Sequence, residues 1–150
     1  MKFRSSFALL LFSCFFSINS FAQNKTRLNH IALSVHDLKK STSFYTHFLE
    51  LDTIPEPFHD GRHTWFGIGD QSHLHLIQNP GTITTHGKNA HLCFSVSSVD
   101  AFAEKLSKAG IHFEDWAGTK GAITIRVDKI KQIYFQDPDG YWIEINDDHS

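Results

Sequence analysis

Four side chains that can bind a divalent metal ion stand at matching positions in the two halves of the sequence. His30 opens the segment HIALSVHDL, and His91 opens the similar segment HLCFSVSSV. His75 lies in WFGIGDQSHLHLI and Glu144 lies in YFQDPDGYWIEIN, and these two segments align without a gap. Imidazole nitrogens and a carboxylate oxygen suit borderline divalent ions. We therefore predict one divalent metal ion (Zn, Ni, Fe or Mn) bound by His30, His75, His91 and Glu144.

The internal repeat carries this prediction, because histidine alone is a weak signal. The chain has 11 histidines, and a single histidine in a strand is more often structural or half-exposed than a ligand. The repeat places all four candidates at the first or last strand of a unit that occurs twice. Four such coincidences favour a common site.

Each half must supply a strand, a helix and further strands to position these residues. In both first segments apolar residues alternate with the histidine and small residues, which is typical of a strand with one apolar face. Asp37 and Ser98 are predicted to cap the following helices, and Gly110 to end the second helix. Gly-Asp-Gln-Ser and Asp-Pro-Asp-Gly read as tight turns, so each half is predicted to end in a β-hairpin.

These signals predict an α+β chain made of two βαβββ modules whose histidine faces line a cleft. Module one covers about 27–78, a linker about 79–89 and module two about 90–147, within one domain at 23–150. The extra length around Gly118 to Lys129 is predicted to be a loop or an additional strand that could fold over the cleft.

The first 22 residues are predicted to be a secretory signal peptide. Lys2 and Arg4 precede the apolar run 7–12, and Ser20-Phe21-Ala22 offers small residues for cleavage. A lipoprotein signal ending at Cys14 is the alternative, although Cys14 lies inside the apolar region. We expect an exported protein, periplasmic or secreted, without a membrane segment after cleavage. Cys93 would then be its only cysteine, so no intramolecular disulfide is expected.

The charge pattern says little about macromolecular partners. The net charge is −2, and neither sign forms a long run. Nucleic acid is therefore not expected as a partner. A small-molecule substrate is the partner that a metal-lined cleft implies.

The segments at 30–38 and 91–99, together with Asp137-Pro-Asp-Gly-Tyr-Trp-Ile-Glu144, resemble the vicinal-oxygen-chelate superfamily. This superfamily includes glyoxalase I, fosfomycin-resistance enzymes, bleomycin-binding proteins and extradiol dioxygenases. The resemblance covers residues 27–147. It implies paired βαβββ modules in an open, partly closed mixed β-barrel, a metal inside it, and commonly a homodimer.

The same resemblance places His30, His91 and Glu144 at the family's metal positions. His75 takes the remaining position, which in glyoxalase I is usually a carboxylate. Glu144 is then the only carboxylate of the set and the predicted catalytic base, alternating between ligand and base. The sequence leaves open whether His75 is a ligand or the mobile base.

The resemblance implies a glyoxalase-like lyase or isomerase of the lactoylglutathione-lyase kind, acting on an oxygenated small molecule chelated through the metal. Export argues against strict glyoxalase I, whose thiol adduct forms with a cytosolic thiol. The alternatives are a binding protein without chemistry, a ring-cleaving dioxygenase, and a fosfomycin-resistance-type transferase.

Several other residues are weaker candidates. His73 shares the face of His75 and is interpreted as a rim residue. Cys93 shares the face of His91 and is interpreted as a small neighbour of the site. Four residues are candidates for contact with a substrate, although surface charge or core packing explains their presence equally well: Arg62, Arg126, Trp65 and Trp142. The histidines interpreted as solvated are His36, His47, His59, His63, His86, His112 and His149.

Overall fold

The computed structural model describes residues 25–69, 71–81 and 85–149. The predicted signal peptide at 1–22 lies outside these ranges, as does Asp70 of the first predicted turn. Within the described ranges, no helix is long and apolar enough to cross a membrane.

The first module is a four-stranded sheet with one helix. The elements are β1 (His30–Val35), α1 (Leu38–Phe48), β2 (Thr53–Ile54), β3 (His63–Gly67) and β4 (His73–Gln78). The strands lie in the order β1-β4-β3-β2, with β1 parallel to β4 and the other neighbours antiparallel.

The second module repeats this plan and adds one short strand. The elements are β5 (His91–Ser95), α2 (Val99–Lys108), β6 (Phe113–Glu114), β7 (Thr124–Ile125), β8 (Lys131–Gln136) and β9 (Trp142–Asn146). The sheet has the order β5-β9-β8-β6, with β5 parallel to β9, and β7 also pairs with β8. The α+β fold of two βαβββ modules is confirmed. The two sheets are not closed into a barrel, which fits the partly open arrangement.

The predicted helix signals are confirmed by the hydrogen bonds at the helix ends. The Asp37 carboxylate accepts from the backbone N–H of Lys40 at 3.0 Å, and the Ser98 hydroxyl accepts from that of Ala101 at 3.2 Å. Each cap satisfies a backbone donor that the first turn leaves unpaired. Gly110 follows α2 with φ +71, a conformation that glycine adopts without strain.

The apolar faces of both sheets pack with both helices into one hydrophobic core. The ring of Phe44 on α1 lies 6.1 Å from that of Phe135 on β8, so the helix of one module contacts the sheet of the other. The candidate ligands alternate with core residues along their strands and therefore face away from this core. The buried apolar side chains of the core are Leu33, Val35, Phe44, Tyr45, Phe66, Leu74, Leu76, Val99, Ala103, Leu106, Ile133, Phe135, Ile143 and Ile145.

The Asp-Pro-Asp-Gly turn of the second module is hydrogen-bonded to the first module. The Tyr45 hydroxyl donates to Asp137 Oδ2 at 2.8 Å, and this contact is buried. Asp139 accepts from the backbone N–H of His36 at 2.7 Å and from the Ser41 hydroxyl at 2.5 Å. Burial raises the pKa of Asp137, and the Tyr45 hydrogen bond opposes that rise. The turn therefore fixes how the second sheet sits against α1.

Candidate metal site

The first pair of candidate ligands, His30 and His75, lies on neighbouring strands β1 and β4. Their rings stack with centroids 4.5 Å apart and an interplanar angle of 7°. Trp65 is the register partner of His75 on β3, and its ring stacks on the other side of His75 at 3.8 Å and 4°. Three neighbouring strands thus hold a column of three rings, with His75 in the middle.

The ring nitrogens of this pair are available to a metal. Nδ1 of His30 lies 2.8 Å from the side-chain oxygen of Asn29. Because that oxygen can only accept, Nδ1 carries the proton and Nε2 keeps its lone pair. Nε2 of His75 is buried and has no hydrogen-bond partner. Burial, followed by the nearby His30, His73 and His63, lowers the pKa of His75 and favours the neutral imidazole that binds metals.

The second pair, His91 and Glu144, lies on the equivalent strands β5 and β9. Nδ1 of His91 lies 2.7 Å from the backbone carbonyl of Lys88, so this nitrogen donates. Nε2 of His91 then faces Glu144 Oε2 at 3.2 Å. Two lone pairs this close require a cation between them. Either a proton between the two atoms or a divalent metal ion meets that requirement.

Hydrogen bonds hold both oxygens of the Glu144 carboxylate. The Tyr134 hydroxyl donates to Oε2 at 2.6 Å, and the Asn146 amide donates to Oε1 at 3.0 Å. The Gln132 amide donates in turn to the Tyr134 hydroxyl at 2.7 Å. Glu144 is buried, and a buried carboxylate is tolerated only with such partners. The carboxylate is therefore fixed in place beside His91.

Cys93, the register partner of Glu144, lies at the same site, where its thiol is held in the protonated form. Its Sγ is 3.5 Å from Glu144 Oε1. Burial, with the neighbouring Glu144 charge, raises the pKa of the Cys93 thiol to about 12. The thiol stays protonated at neutral pH, which agrees with its interpretation as a small neighbour.

The structure brings the four predicted ligands together as two pairs. We call His30 with His75 the first half-site and His91 with Glu144 the second half-site. Within residues 25–69, 71–81 and 85–149, no three His, Cys, Asp or Glu side chains lie close enough to bind one metal ion. A single chain does not assemble the predicted quartet, because both sheets turn their apolar faces to the shared core and the half-sites face elsewhere. Binding of one ion by all four residues stays a prediction.

Comparison with known proteins decides the family. A family model described as the Glyoxalase/Bleomycin resistance protein/Dioxygenase superfamily matches residues 27–145. The chain belongs to this superfamily. The family identified from the sequence is therefore confirmed.

Relatives within the superfamily differ in their named activities. The lactoylglutathione lyase of Salmonella typhimurium is 31% identical, with 79% of this chain and 90% of the relative covered. The metallothiol transferase FosB of Staphylococcus epidermidis is 30% identical, with 81% of each chain covered. Among solved structures, Oxidase ChaP-H2 has a TM-score of 0.67 and 28% identity, covering 81% of this chain and 92% of that chain.

Three residues that contact the candidate ligands were not predicted to belong to the site. Asn29, Tyr134 and Asn146 each contact a candidate ligand. Asn146 is two residues after Glu144 in a strand, so alternation could have placed it on the same face. Tyr134 could have been found by pairing the last hairpin, as it opposes Glu144 in the register.

The structure corrects the interpretation of His63 and shows the partners of Arg62 and Arg126. His63 was interpreted as solvated, but it lies in β3 with a side chain only 13% exposed, and its Nδ1 is 2.8 Å from Asp60. Arg62 also pairs with Asp60, and Arg126 pairs with Asp128, so both arginines have acidic partners outside the half-sites.

The other weaker candidates lie near the strands of the half-sites. His73 sits beside Trp65, with ring centroids 6.1 Å apart. The Trp142 indole donates to the backbone carbonyl of His86 at 2.9 Å. His86, also interpreted as solvated, stacks on Tyr141 at 3.8 Å.

Proposed function

We propose that this superfamily member is a metal-dependent, glyoxalase-like lyase or isomerase that acts on an oxygenated small molecule. One divalent ion (Zn, Ni, Fe or Mn) would be held by His30, His75, His91 and Glu144. The observation that carries the proposal is the buried Nε2 of His75, which has no hydrogen-bond partner. The 3.2 Å approach of His91 Nε2 to Glu144 Oε2 adds a second pair of ligand atoms, which either a proton or a metal ion can bridge.

The first half-site offers one buried nitrogen, His75 Nε2, that has no hydrogen-bond partner among the described residues. A buried nitrogen such as His75 Nε2 without a hydrogen bond costs about 1–3 kcal/mol. A metal ion that binds the imidazole removes this cost, and the lowering of the His75 pKa by burial favours the neutral ring that binds it. The residues present therefore fit a divalent metal ion.

A homodimer is the arrangement that brings the half-sites together. His30 and His91 are exposed on the sheet faces opposite the core, so a second copy can approach both faces. In a twofold dimer, the first half-site of each chain would meet the second half-site of its partner, which gives two equal sites. Absence of a three-ligand cluster among the described residues of one chain supports this arrangement.

Glu144 is the residue that we assign to proton transfer. Bound at the site, a divalent ion would polarise a substrate oxygen and stabilise negative charge on it. Glu144 would take a proton from the carbon beside a carbonyl and return it to the neighbouring carbon. The ring of His75 is stacked between Trp65 and His30, which limits its movement and favours a ligand role.

Hydrogen–deuterium exchange at carbon tests the proposed chemistry. The metal-loaded full chain would be incubated in D₂O with thiol hemithioacetals of 2-oxoaldehydes, and deuterium beside the carbonyl measured by NMR. We expect incorporation with the wild-type chain and little with Glu144→Gln, which keeps the size of the side chain but removes the base. Loss of exchange with metal still bound would separate the base role from the ligand role.

A ring-cleaving dioxygenase is the second candidate, because Oxidase ChaP-H2 shares 28% identity with this chain. Two histidines and a carboxylate are also the donor set of ferrous oxygenases. Oxygen uptake by the iron-loaded chain with a catechol, without deuterium exchange in the first assay, would favour this alternative. Probe binding without either reaction would favour a binding protein.

Export remains part of the proposal. It is supported by the basic, apolar and small-residue segments of the first 22 residues. Intact-mass measurement of protein from the extracytoplasmic fraction is expected to show cleavage after Ala22. A mature chain beginning at Cys14 with added lipid would favour the lipoprotein alternative.

A further inference from the structure

A cleft with aromatic walls lies against the first half-site. It has a volume of about 480 Å³ and is lined by Phe58, Trp65 and Ile77 beside His30 and His75. None of the described lining residues is acidic. A cleft of this size can enclose a small organic molecule, and its walls suit an uncharged, apolar group.

Phe58 is the residue that distinguishes this cleft from ordinary surface. It is 59% exposed, although large apolar side chains gain free energy from burial. Its ring nevertheless has a defined place, 4.7 Å from the ring of His63 and 6.0 Å from that of Trp65, which it meets edge-on at 76°.

The loop that carries Phe58 is built to hold this position. The carboxylate of Glu56 accepts from the backbone N–H groups of Phe58 at 2.6 Å and His59 at 2.8 Å. Asp60 accepts from the backbone of Arg62 at 2.9 Å and lies 2.8 Å from Nδ1 of His63. These bonds fix the loop on both sides of Phe58. The backbone conformation of the loop therefore places Phe58 at the cleft.

We propose that the substrate of the metal site carries an aromatic ring, which lies in this cleft against Phe58 and Trp65 while the oxygens of the substrate reach the metal. The inference rests on the proposed metal site and names its substrate class. Aromatic rings prefer edge-on or offset contacts with other rings, which Phe58, Trp65 and the histidine rings offer. The oxygen-bearing part of the substrate would lie beside His30 and His75.

Two hydroxamates test this substrate class. Benzohydroxamate and acetohydroxamate chelate a metal through the same two oxygens and differ in a phenyl against a methyl group. Their dissociation constants would be measured calorimetrically on the full chain loaded with Zn²⁺. We expect the wild-type chain to prefer benzohydroxamate by about 10- to 100-fold, and Phe58→Ala to lower that preference by about tenfold while leaving acetohydroxamate binding unchanged.

Matched variants show whether the effect belongs to the cleft. Phe58→Leu is expected to keep part of the preference, and Val127→Ala, which removes an exposed apolar side chain outside the cleft lining, is expected to keep all of it. Metal-dependent binding of both probes with equal affinity, or a preference unchanged by Phe58→Ala, would overturn the aromatic subsite and leave the metal site intact.

Two further outcomes are equally decisive. If neither probe binds in a metal-dependent way, the proposed function itself fails. If Phe58→Ala changes the oligomeric state in sedimentation analysis, Phe58 contacts a second chain and the substrate-ring role is overturned.

Discussion

Trp65 and Tyr134 occupy equivalent positions in the two modules, and they hold their neighbours in different ways. Trp65 opposes His75 in the register of β3 and β4 and stacks on its ring at 3.8 Å. Tyr134 opposes Glu144 in the register of β8 and β9 and donates a hydrogen bond to it at 2.6 Å. The aromatic residue is matched to its partner in each module: a flat face meets a neutral imidazole, and a hydroxyl meets a carboxylate.

This difference shows what each kind of ligand needs. A neutral imidazole can be positioned by ring contacts alone, whereas a buried carboxylate needs donors for its oxygens. The second half-site is therefore a hydrogen-bonded network around Glu144, and the first half-site is a ring stack around His75. We expect metal binding to be more sensitive to losses in the network than to losses in the stack.

The largest effect is expected from removing the carboxylate itself. Glu144→Ala deletes the only carboxylate among the four predicted ligands, leaves the Tyr134 hydroxyl without its acceptor and leaves the Asn146 amide with Cys93 Sγ alone. Metal affinity measured by chelator competition should fall by more than the roughly 10–100-fold typical of losing a supporting residue. Glu104→Ala, a change at an exposed ion pair on α2, is the control. An unchanged metal affinity in Glu144→Ala would show that the second half-site does not bind the metal.

A smaller effect is expected from Tyr134→Phe. This variant keeps the ring and removes the donor to Glu144 Oε2. We expect a loss of metal affinity of about 10–100-fold, the range for residues that orient a ligand. Circular dichroism would verify that the fold is retained. An affinity equal to that of the wild-type chain would mean that the hydrogen bond does not orient the carboxylate for metal binding.

Trp65→Leu is expected to have a weaker effect still. The ring contact with His75 is replaced by an aliphatic one, and aromatic pairs contribute about 0.5–1.5 kcal/mol beyond their buried area. The metal affinity should therefore fall by about tenfold or less. A loss larger than that of Tyr134→Phe, measured in the same competition assay, would reverse the proposed ranking of network and stack.

Tyr45→Phe should leave metal affinity unchanged, because it alters the contact between the two modules at Asp137 and does not alter either half-site. It removes the donor to buried Asp137, which should lower the free energy of unfolding by about 1–3 kcal/mol. Urea denaturation measures this loss. In an Asp137→Asn background the same change should cost less, because a neutral amide needs the lost donor less than a buried carboxylate whose remaining donors are the backbone N–H groups at Oδ1. An equal cost in both backgrounds would contradict the role of this hydrogen bond.

The repeat made the local structure predictable. Alternation along HIALSV and HLCFS placed His30 and His91 on the face opposite the core residues, as the structure has them. The gap-free alignment of the last segments placed His75 and Glu144 at equivalent register positions, opposite Ala32 and Cys93. Both results follow from the two-residue period of a strand and need no long-range information.

The arrangement of the modules could not be predicted in this way. Alternation shows which face of a strand is apolar, but it does not show which apolar faces meet. Here both meet in a shared core, with Phe44 against Phe135, so the half-sites of one chain do not converge. The Asn29 side-chain oxygen and the Lys88 carbonyl, which accept hydrogen bonds from His30 and His91, are positioned by the backbone geometry at each strand start, which residue types alone do not specify.

A heterodimer of two disabled chains tests the central claim that one metal site combines the half-sites of two chains. His30→Ala/His75→Ala would be co-expressed with His91→Ala/Glu144→Ala under two different affinity tags, and the doubly tagged species purified and analysed for metal. We predict two metal ions per wild-type dimer, none in either variant alone and about one per heterodimer, because the heterodimer regains one complete site. A heterodimer without metal, beside a wild-type chain that binds it, would contradict the shared site.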